Sequence, residues 1–350
     1  MSSLDSEELI PIKRAVVTGG AGFLGAAIVR QLVAAGTEVT IISRSATKAK
    51  IDPRVRAIDL DLTNAPLLSK ILKGMDAVFH VAARAGVWGP KEDYYAANVA
   101  ATISVLNQSL DSGVPRFIFT SSPSVCFDGT DHRNASNDLP IATNFLCAYP
   151  DTKADAEFAV RMANGELSPD RDPMAVTILR PHLIVGPGDP HIMPRLIERA
   201  RSGRLRIIGD GQNEVSLTDV ENAAHAHLCA AYRLHPTAAC AGKAYFVGQS
   251  EPVLIWPWVS ELFERIGVPV PKRAISARTA YALGSVCEFI WKKFSLSGEP
   301  PMTRFLAMQL STSHSYDLGP IERDLGYREL VSTAEMTERI ARAFSDSERR

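Results

Sequence analysis

The chain has no close pair of cysteines and no cluster of His, Asp and Glu at metal-ligand spacing, so no bound metal is expected. Its five cysteines (Cys126, Cys147, Cys229, Cys240 and Cys287) are scattered and odd in number, which reads as free, mostly buried thiols in a reducing, cytoplasmic compartment. An excess of one charge is missing too. The 38 basic and 39 acidic side chains leave a net charge of −1 and no Lys/Arg run stands out, so nucleic acid is not an expected partner. No hydrophobic run is both long and clean. The most apolar late stretch, Ala277 to Phe294, is broken by Arg278, Glu288, Lys292 and Lys293, whereas a membrane span needs about 20 mostly apolar residues. The segment Met1 to Lys13 is polar and acidic and lacks the apolar centre of a signal peptide. Internal repeats and low-complexity segments are absent. What remains is an ordinary globular composition, 46% apolar and 22% charged over 350 residues, enough for one large domain or two fused ones.

Short apolar, β-branched runs mark strands at 14–18, 38–42, 55–58, 77–81, 117–120 and 175–179. Helical periodicity fills the gaps, at 23–35 (stopped by Gly36), 64–73, 94–112 and Tyr149 to Met162. Strand and helix alternating at this spacing imply right-handed βαβ units and an α/β fold with a doubly wound, Rossmann-type parallel sheet. After Pro181 the pattern loosens into shorter, Gly- and Pro-rich elements, which suggests a smaller, mixed α/β substrate-binding part toward the C-terminus. The expected division is a cofactor domain over 12–181, rejoined by about 213–248. The substrate part covers 182–212 and 249–335, and 1–11 and 336–350 are peripheral ends.

The first strand runs into Thr18-Gly-Gly-Ala-Gly-Phe-Leu-Gly25, where Gly19, Gly22 and Gly25 have the spacing GxxGxxG around Phe23 and Leu24. Between a strand and an amphipathic helix, such glycines allow a tight turn, close approach of backbone to a pyrophosphate, and close helix–strand packing. The second strand ends at Ser43-Arg44 with no acid to read a ribose 2′-hydroxyl. Arg44, assisted by Lys48, can instead pair with a 2′-phosphate, which favours NADP(H) over NAD(H); as a merely solvated residue it would leave both cofactors acceptable. Asp61-Leu62 follows the third strand and can bracket an adenine, although Asp61 can equally cap the next helix in competition with Thr63 and Asn64. Small residues at Ala82-Ala83 let a dinucleotide lie across the end of the fourth strand.

Tyr149-Pro-Asp-Thr-Lys153 is YxxxK at the head of a helix, with Tyr149 and Lys153 one turn apart on one face. A free phenol titrates near 10; a neighbouring ammonium favours the phenolate and would let Tyr149 exchange a proton with an alcohol/ketone couple. Upstream, Phe117 to Ser122 is an apolar strand ending in hydroxyls, which places Ser121 or Ser122 at the sheet's carboxyl edge, within reach of a substrate oxygen.

In this order, TGGAGFLG, Asn98-Val99, Thr120-Ser-Ser122 and Tyr149-to-Lys153 resemble the extended short-chain dehydrogenase/reductases. The resemblance implies Tyr149 as proton carrier, Lys153 also holding the nicotinamide ribose, and Ser122 polarising the carbonyl, with Ser121 and Ser124 as alternatives. It adds Asn98 and the backbone of Pro181 and Leu183 as cofactor contacts, and a homodimer built on the Tyr149 helix. The segments TSSPSVCFDG from Thr120, LRPHLIVGPGDP from Leu179, and GDGQN from Gly209 with Val220-Glu-Asn222 are similar to the 3β-hydroxysteroid dehydrogenase/isomerase group, near its sterol-4α-carboxylate 3-dehydrogenase branch. Ala85-Gly-Val-Trp-Gly89, the Ala239 to Tyr245 segment and Gly298 to Phe305 resemble the bacterial 2-alkyl-3-oxoalkanoate reductase branch. The likeness covers about residues 14 to 335. It implies an NAD(P)-dependent enzyme interconverting a secondary alcohol and a ketone, on a β-hydroxy or β-keto acid with a large apolar skeleton.

Two other functions share the fold. A sugar-nucleotide epimerase or dehydratase would need an Arg after the GDG turn, where Val215 stands, unless Arg204 or Arg206 replaces it. A non-enzymatic NADP-sensing regulator would have no need of the Tyr and Lys, and both are present. The Ala277 to Phe294 stretch can cap an apolar pocket, lie on a membrane surface, or be an ordinary core helix. His225 and His227 read as structural residues in an alanine-rich helix, and Trp256 and Trp258 as packing at a helix start.

Overall fold

A computed structural model describes residues 9–170 and 172–348, with side chains described to residue 346. The expectation for residues 1–8 lies outside the described residues. Seven parallel strands form the main sheet: β1 (Arg14–Thr18), β2 (Glu38–Ser43), β3 (Arg56–Asp59), β4 (Ala77–His80), β5 (Arg116–Thr120), β6 (Ala175–Pro181) and β7 (Ala244–Val247). Their order is β7-β6-β5-β4-β1-β2-β3. The chain winds outward in both directions from β1 and β4, so a crevice opens at the carboxyl ends of those two strands, where doubly wound sheets bind ligands.

The helices follow the apolar periods. α1 (Phe23–Ala34) and α2 (Ala65–Leu72) lie close to expectation. The helix expected over 94–112 begins earlier: α3 (Lys91–Tyr94) passes through a π-helical turn, Tyr95–Ala100, into α4 (Ala101–Asp111). α5 (Ala148–Met162) carries the YxxxK pair. Leu68, Leu72, Val105, Leu106, Ala156 and Val160 cover one face of the sheet. Ala27, Ile28 and Leu32 of α1 cover the other, with the small residues of α7 (Val220–Arg233).

The rest of the chain adds α6 (Ile192–Arg201), α8 (Ile255–Arg265), α9 (Ala277–Lys293), α10 (Arg304–Gln309), α11 (Gly319–Leu325) and α12 (Thr333–Glu348). It also contributes to a four-stranded mixed sheet in the order Val253–Leu254, Glu214–Val215, His314–Tyr316, His132–Ala135. A separate core gathers Trp256, Trp258, Leu262, Phe263, Met336 and Ile340. Met336 and Ile340 of α12 belong to this core. The apolar stripe of α12 is buried against α8, and Trp258 Nε1 donates to Thr337 Oγ1 at 2.9 Å. At the other terminus Ile10 N donates to Tyr232 O at 2.8 Å, tying residues 9–11 to α7. Among the described residues, no helix is long and apolar enough to cross a membrane, no residue group could hold a metal, and the five cysteines are free.

Candidate active site

The glycine turn follows β1 directly. Gly19 has φ 68°, and a Cβ there would lie 2.9 Å from the backbone of Ala82. A Cβ on Gly25 would collide with Gly19 O, so the turn closes on α1 only if both positions are bare. Gly22 N donates to Gly19 O at 2.9 Å and starts α1 with no side-chain cap and no acid in the first turn. The helix therefore presents free amides and its positive end, a cradle that fits a dinucleotide pyrophosphate. Leu24 is buried in the core, so at that position the backbone alone faces the cradle.

At the end of β2, Ser43 is half-buried and Arg44 exposed. The carboxylate at the end of β3 is engaged: Asp59 accepts from Thr47 N at 2.8 Å and Thr47 Oγ1 at 2.6 Å. Asp61 accepts from Thr63 N at 2.9 Å and Thr63 Oγ1 at 2.7 Å. These bonds, with the charge of Arg44 nearby, hold its carboxyl below the usual range. Asn64, not Asp61, occupies the cap position of α2, which leaves Asp61 and half-buried Leu62 beside the β2–β3 edge.

The end of β4 is organised by buried polar residues. Asn98, in the π-helical turn, accepts from Arg84 N at 2.7 Å and donates to Arg84 O at 3.1 Å and to Thr152 Oγ1 at 3.1 Å. Its side chain is thus fully used in tying the Ala82-Ala83-Arg84 loop to α5, and any effect on a cofactor passes through that backbone. π-Helical turns of this kind often mark functional sites. His80 lies between Thr18 Oγ1 (2.8 Å) and Thr102 Oγ1 (2.9 Å). Because Thr102 donates to Asn98 O, it accepts from His80 Nε2, and Nδ1 then accepts from Thr18.

Burial holds several histidines neutral: His80 is pushed down to about 3, and His182 and His227 to about 4. The folded state then binds fewer protons than the unfolded chain below the ordinary value of 6.5. Stability should be full above about pH 6.5 and drain as pH falls toward 4, by about 3 kcal/mol for each such residue. Urea unfolding followed from about pH 7.5 to 4 checks this, and His227→Gln should flatten the slope.

The catalytic candidates converge at the ends of β5 and α5. Ser122 Oγ lies 2.9 Å from Ser124 Oγ and is near enough to the Tyr149 phenol to favour its ionised form. Ser121 points the other way, is buried, and donates to Glu157 Oε2 at 2.6 Å. Of the three serines, Ser122 is thus the one set against the tyrosine. Lys153 is buried, donates to Thr120 O at 2.6 Å and lies 4.1 Å above the Phe119 ring. Burial opposes the expected lowering of the tyrosine pKa. Burial pushes Tyr149 up to about 12 against the pull of Ser122, and burial pushes Lys153 down to about 7 against the charge of Glu157.

Three features here escaped the pattern reading. Glu157, one turn beyond Lys153, forms a buried ion pair with Arg180 (2.5 Å) and also meets Arg161 at 3.1 Å. A lone arginine within the largely apolar AVTILRP of β6 was the available signal. Leu183, just past β6, sits at φ 40°, strained for a branched side chain, at the position expected to touch nicotinamide. A cavity of about 240 Å³ adjoins the start of α5, lined by Phe127, Phe145, Leu146, Tyr281, Phe305 and Met308 together with polar Asp128 and Asn144. Elsewhere, His227 is locked between Thr120 and Ala223, and His225 lies 3.4 Å from the Cys229 sulfur. Val215 is buried in a strand, Arg206 donates to Gly203 O and Leu205 O, and Arg204 is exposed.

Residues 16–277 match the sequence profile of the 3-beta hydroxysteroid dehydrogenase/isomerase family. The chain is 43% identical to a 2-alkyl-3-oxoalkanoate reductase of Stenotrophomonas maltophilia, over 93% of this chain and 97% of that protein. It is 34% identical to the decarboxylating sterol-4-alpha-carboxylate 3-dehydrogenase of Mus musculus, over 97% and 93%. Among solved structures it is similar to the dTDP-glucose 4,6-dehydratase DesIV of Streptomyces venezuelae, at TM-score 0.74, 23% identity and coverage of 96% and 98%. That last likeness speaks for the fold alone.

Proposed function

We propose, from the premise that the chain belongs to the 3-beta hydroxysteroid dehydrogenase/isomerase family, that it reduces the ketone of a β-keto acid on a large apolar skeleton to the secondary alcohol, using NADP(H). The observation that carries this reading is Ser122 set near Tyr149, one helix turn from buried Lys153, with a largely apolar cavity at the start of the same helix. The two relatives named above act, by their names, on a 2-alkyl-3-oxoalkanoate and a sterol 4-carboxylate, which share a ketone or hydroxyl β to a carboxylate.

The cofactor would be held by the turn Gly19 to Gly25, by Ser43, Arg44, Asp61 and Leu62 along the β2–β3 edge, by the Ala82-Ala83 backbone that Asn98 secures, and by Lys153, Pro181 and Leu183 at its nicotinamide end. When bound, it supplies the hydride. The rest of the chemistry belongs to the chain. Ser122 Oγ donates a hydrogen bond to the substrate oxygen, and Tyr149 Oη gives that oxygen its proton. A phenol held near 12 is loaded with its proton at neutral pH, which suits the reductive direction. Lys153, protonated below about pH 7, places a cation behind the tyrosine as the proton leaves.

The cofactor preference rests on Arg44. Arg44→Ser should lower the NADPH-over-NADH ratio of kcat/KM by about 10- to 100-fold, the value of a charge-assisted phosphate contact. Steady-state assays with both cofactors check it. On the outer faces of α4 and α5, Ile103, Phe158 and Met162 are exposed, with Tyr95 next to them. A second copy covers them in the proposed homodimer, so light scattering should give twice the chain mass of 38.0 kDa.

The substrate class is tested by comparing a long-chain 2-alkyl-3-oxo acid with the matching ketone that lacks the carboxylate. Preference for the acid supports the reading. Turnover of the uncharged ketone alone would refute it.

A further inference from the structure

Two openings flank the contact between α9 and α10. The first is the cavity beside the head of α5. Among the described residues, Asp128 is its one charged lining side chain. Asp128 accepts from Thr130 Oγ1 at 2.7 Å and Thr130 N at 3.0 Å, and these bonds hold its carboxyl below the usual range. It is therefore anionic at neutral pH and repels a second carboxylate. With walls of Phe145, Leu146, Phe305 and Met308, this cavity suits the hydrocarbon of a β-keto acid and not its acid end.

The second opening is a groove of about 210 Å³ lined by Ser285, Glu288, Phe289, Lys292 and Arg304. It adjoins the first, since Arg304 lines the groove and the next residue, Phe305, lines the cavity. Glu288 is buried and spends both oxygens on Arg304, accepting from its backbone N–H and its Nε at 2.7 Å each. That pair fixes the guanidinium from behind. Its two Nη nitrogens stay outside the pair, and 35% of the side chain remains exposed. Lys292 adds a second cation, with Nζ 5.8 Å over the Trp88 ring. Two cations against one carboxylate that is already paired leave the groove with surplus positive charge beside the Phe289 ring. Such a site fits an anion carried on an apolar body.

The groove also borders the reacting groups. Trp88 O accepts from Tyr94 Oη at 3.0 Å, and Tyr94 and Cys147 both flank Tyr149 closely enough for electrostatic contact, as Glu288 does Cys147. We propose that Arg304, with Lys292 beside it, reads the carboxylate of the substrate, so that the groove takes the acid end and the cavity takes the hydrocarbon. This rests on the reaction proposed above and adds what selects the acid over the plain ketone. Glu288 is then a positioning residue: it holds the guanidinium still while the Nη edge donates to the incoming carboxylate.

The test is calorimetric binding of 2-butyloctanoic acid, a branched acid with no ketone, against the corresponding alcohol, 2-butyl-1-octanol. The full chain is used with NADPH present. Neither probe can be reduced, so the result does not depend on turnover, and acid binding without any ketone reduction would fault the proposed reaction and not the groove. The wild type should hold the acid about tenfold more tightly than the alcohol, the value of a charge-assisted contact. Lys292→Gln, at an exposed position, should lower acid affinity about threefold or more. Glu288→Gln with Arg304→Gln, which replaces the ion pair by a neutral one, should remove the preference for the acid. Thermal melting establishes that both variants fold. Wild type that fails to bind the acid, or binds acid and alcohol equally, would overturn the proposal. So would folded variants that keep the full preference, or a double variant that loses acid and alcohol alike.

Discussion

Tyr149→Phe is expected to lower kcat for ketone reduction by about 10²- to 10⁴-fold, the range for losing a positioned proton donor. Phenylalanine keeps the ring and removes only the hydroxyl that meets Ser122. The glycine cradle, Arg44 and Lys153 do not depend on that hydroxyl, so NADPH affinity should change by no more than a few fold. Stability should hold as well, because Tyr149 is only half-buried and nothing but its hydroxyl is removed. Single-turnover kinetics and fluorescence titration of NADPH separate the two effects. Loss of nucleotide binding along with turnover would show that Tyr149 holds the cofactor rather than serving the substrate oxygen.

The second large effect concerns stability and catalysis together. Glu157 and Arg180 are both buried and paired with each other, and Glu157 also meets Ser121 and Arg161. Removing one member of such a pair leaves a buried, uncompensated charge, so Glu157→Ala should cost about 3–5 kcal/mol in urea unfolding. Removing both should cost less, and Glu157→Ala with Arg180→Met should recover much of the loss. The pair also bears on Lys153. Glu157 supplies the attraction that opposes burial of the ammonium, holding its pKa near 7. Without that carboxylate Lys153 loses its proton at lower pH, and the alkaline limb of kcat/KM should move down the pH scale. A purely structural role for Glu157 would leave that limb in place.

Much of this site was legible in the sequence, for physical reasons. Glycine spacing reports where backbone must pass close to backbone, as Gly19 and Gly25 show. The four-residue step from Tyr149 to Lys153 reports a shared helix face. Ser121 and Ser122 could not be told apart from spacing, because the choice depends on Glu157 reaching back from α5 to take Ser121. The direction of the Tyr149 shift was equally out of reach, since a motif does not show the burial that raises the phenol's pKa. The packing of Met336 and Ile340 depends on tertiary contact with α8, which no local pattern shows. Asn98 stood in its motif without showing that its partners are the Arg84 backbone and Thr152.

The most direct test of the central claim is isotopic. NADPH deuterated at C4 of the nicotinamide, in each epimeric form, is incubated with a 2-alkyl-3-oxo acid, and the product is read by mass spectrometry for wild type and Tyr149→Phe. The expected result is one deuterium on the new carbinol carbon from one of the two epimers, with formation of that product largely lost in the variant. Product without deuterium, or deuterated product formed equally fast by Tyr149→Phe, would contradict the account.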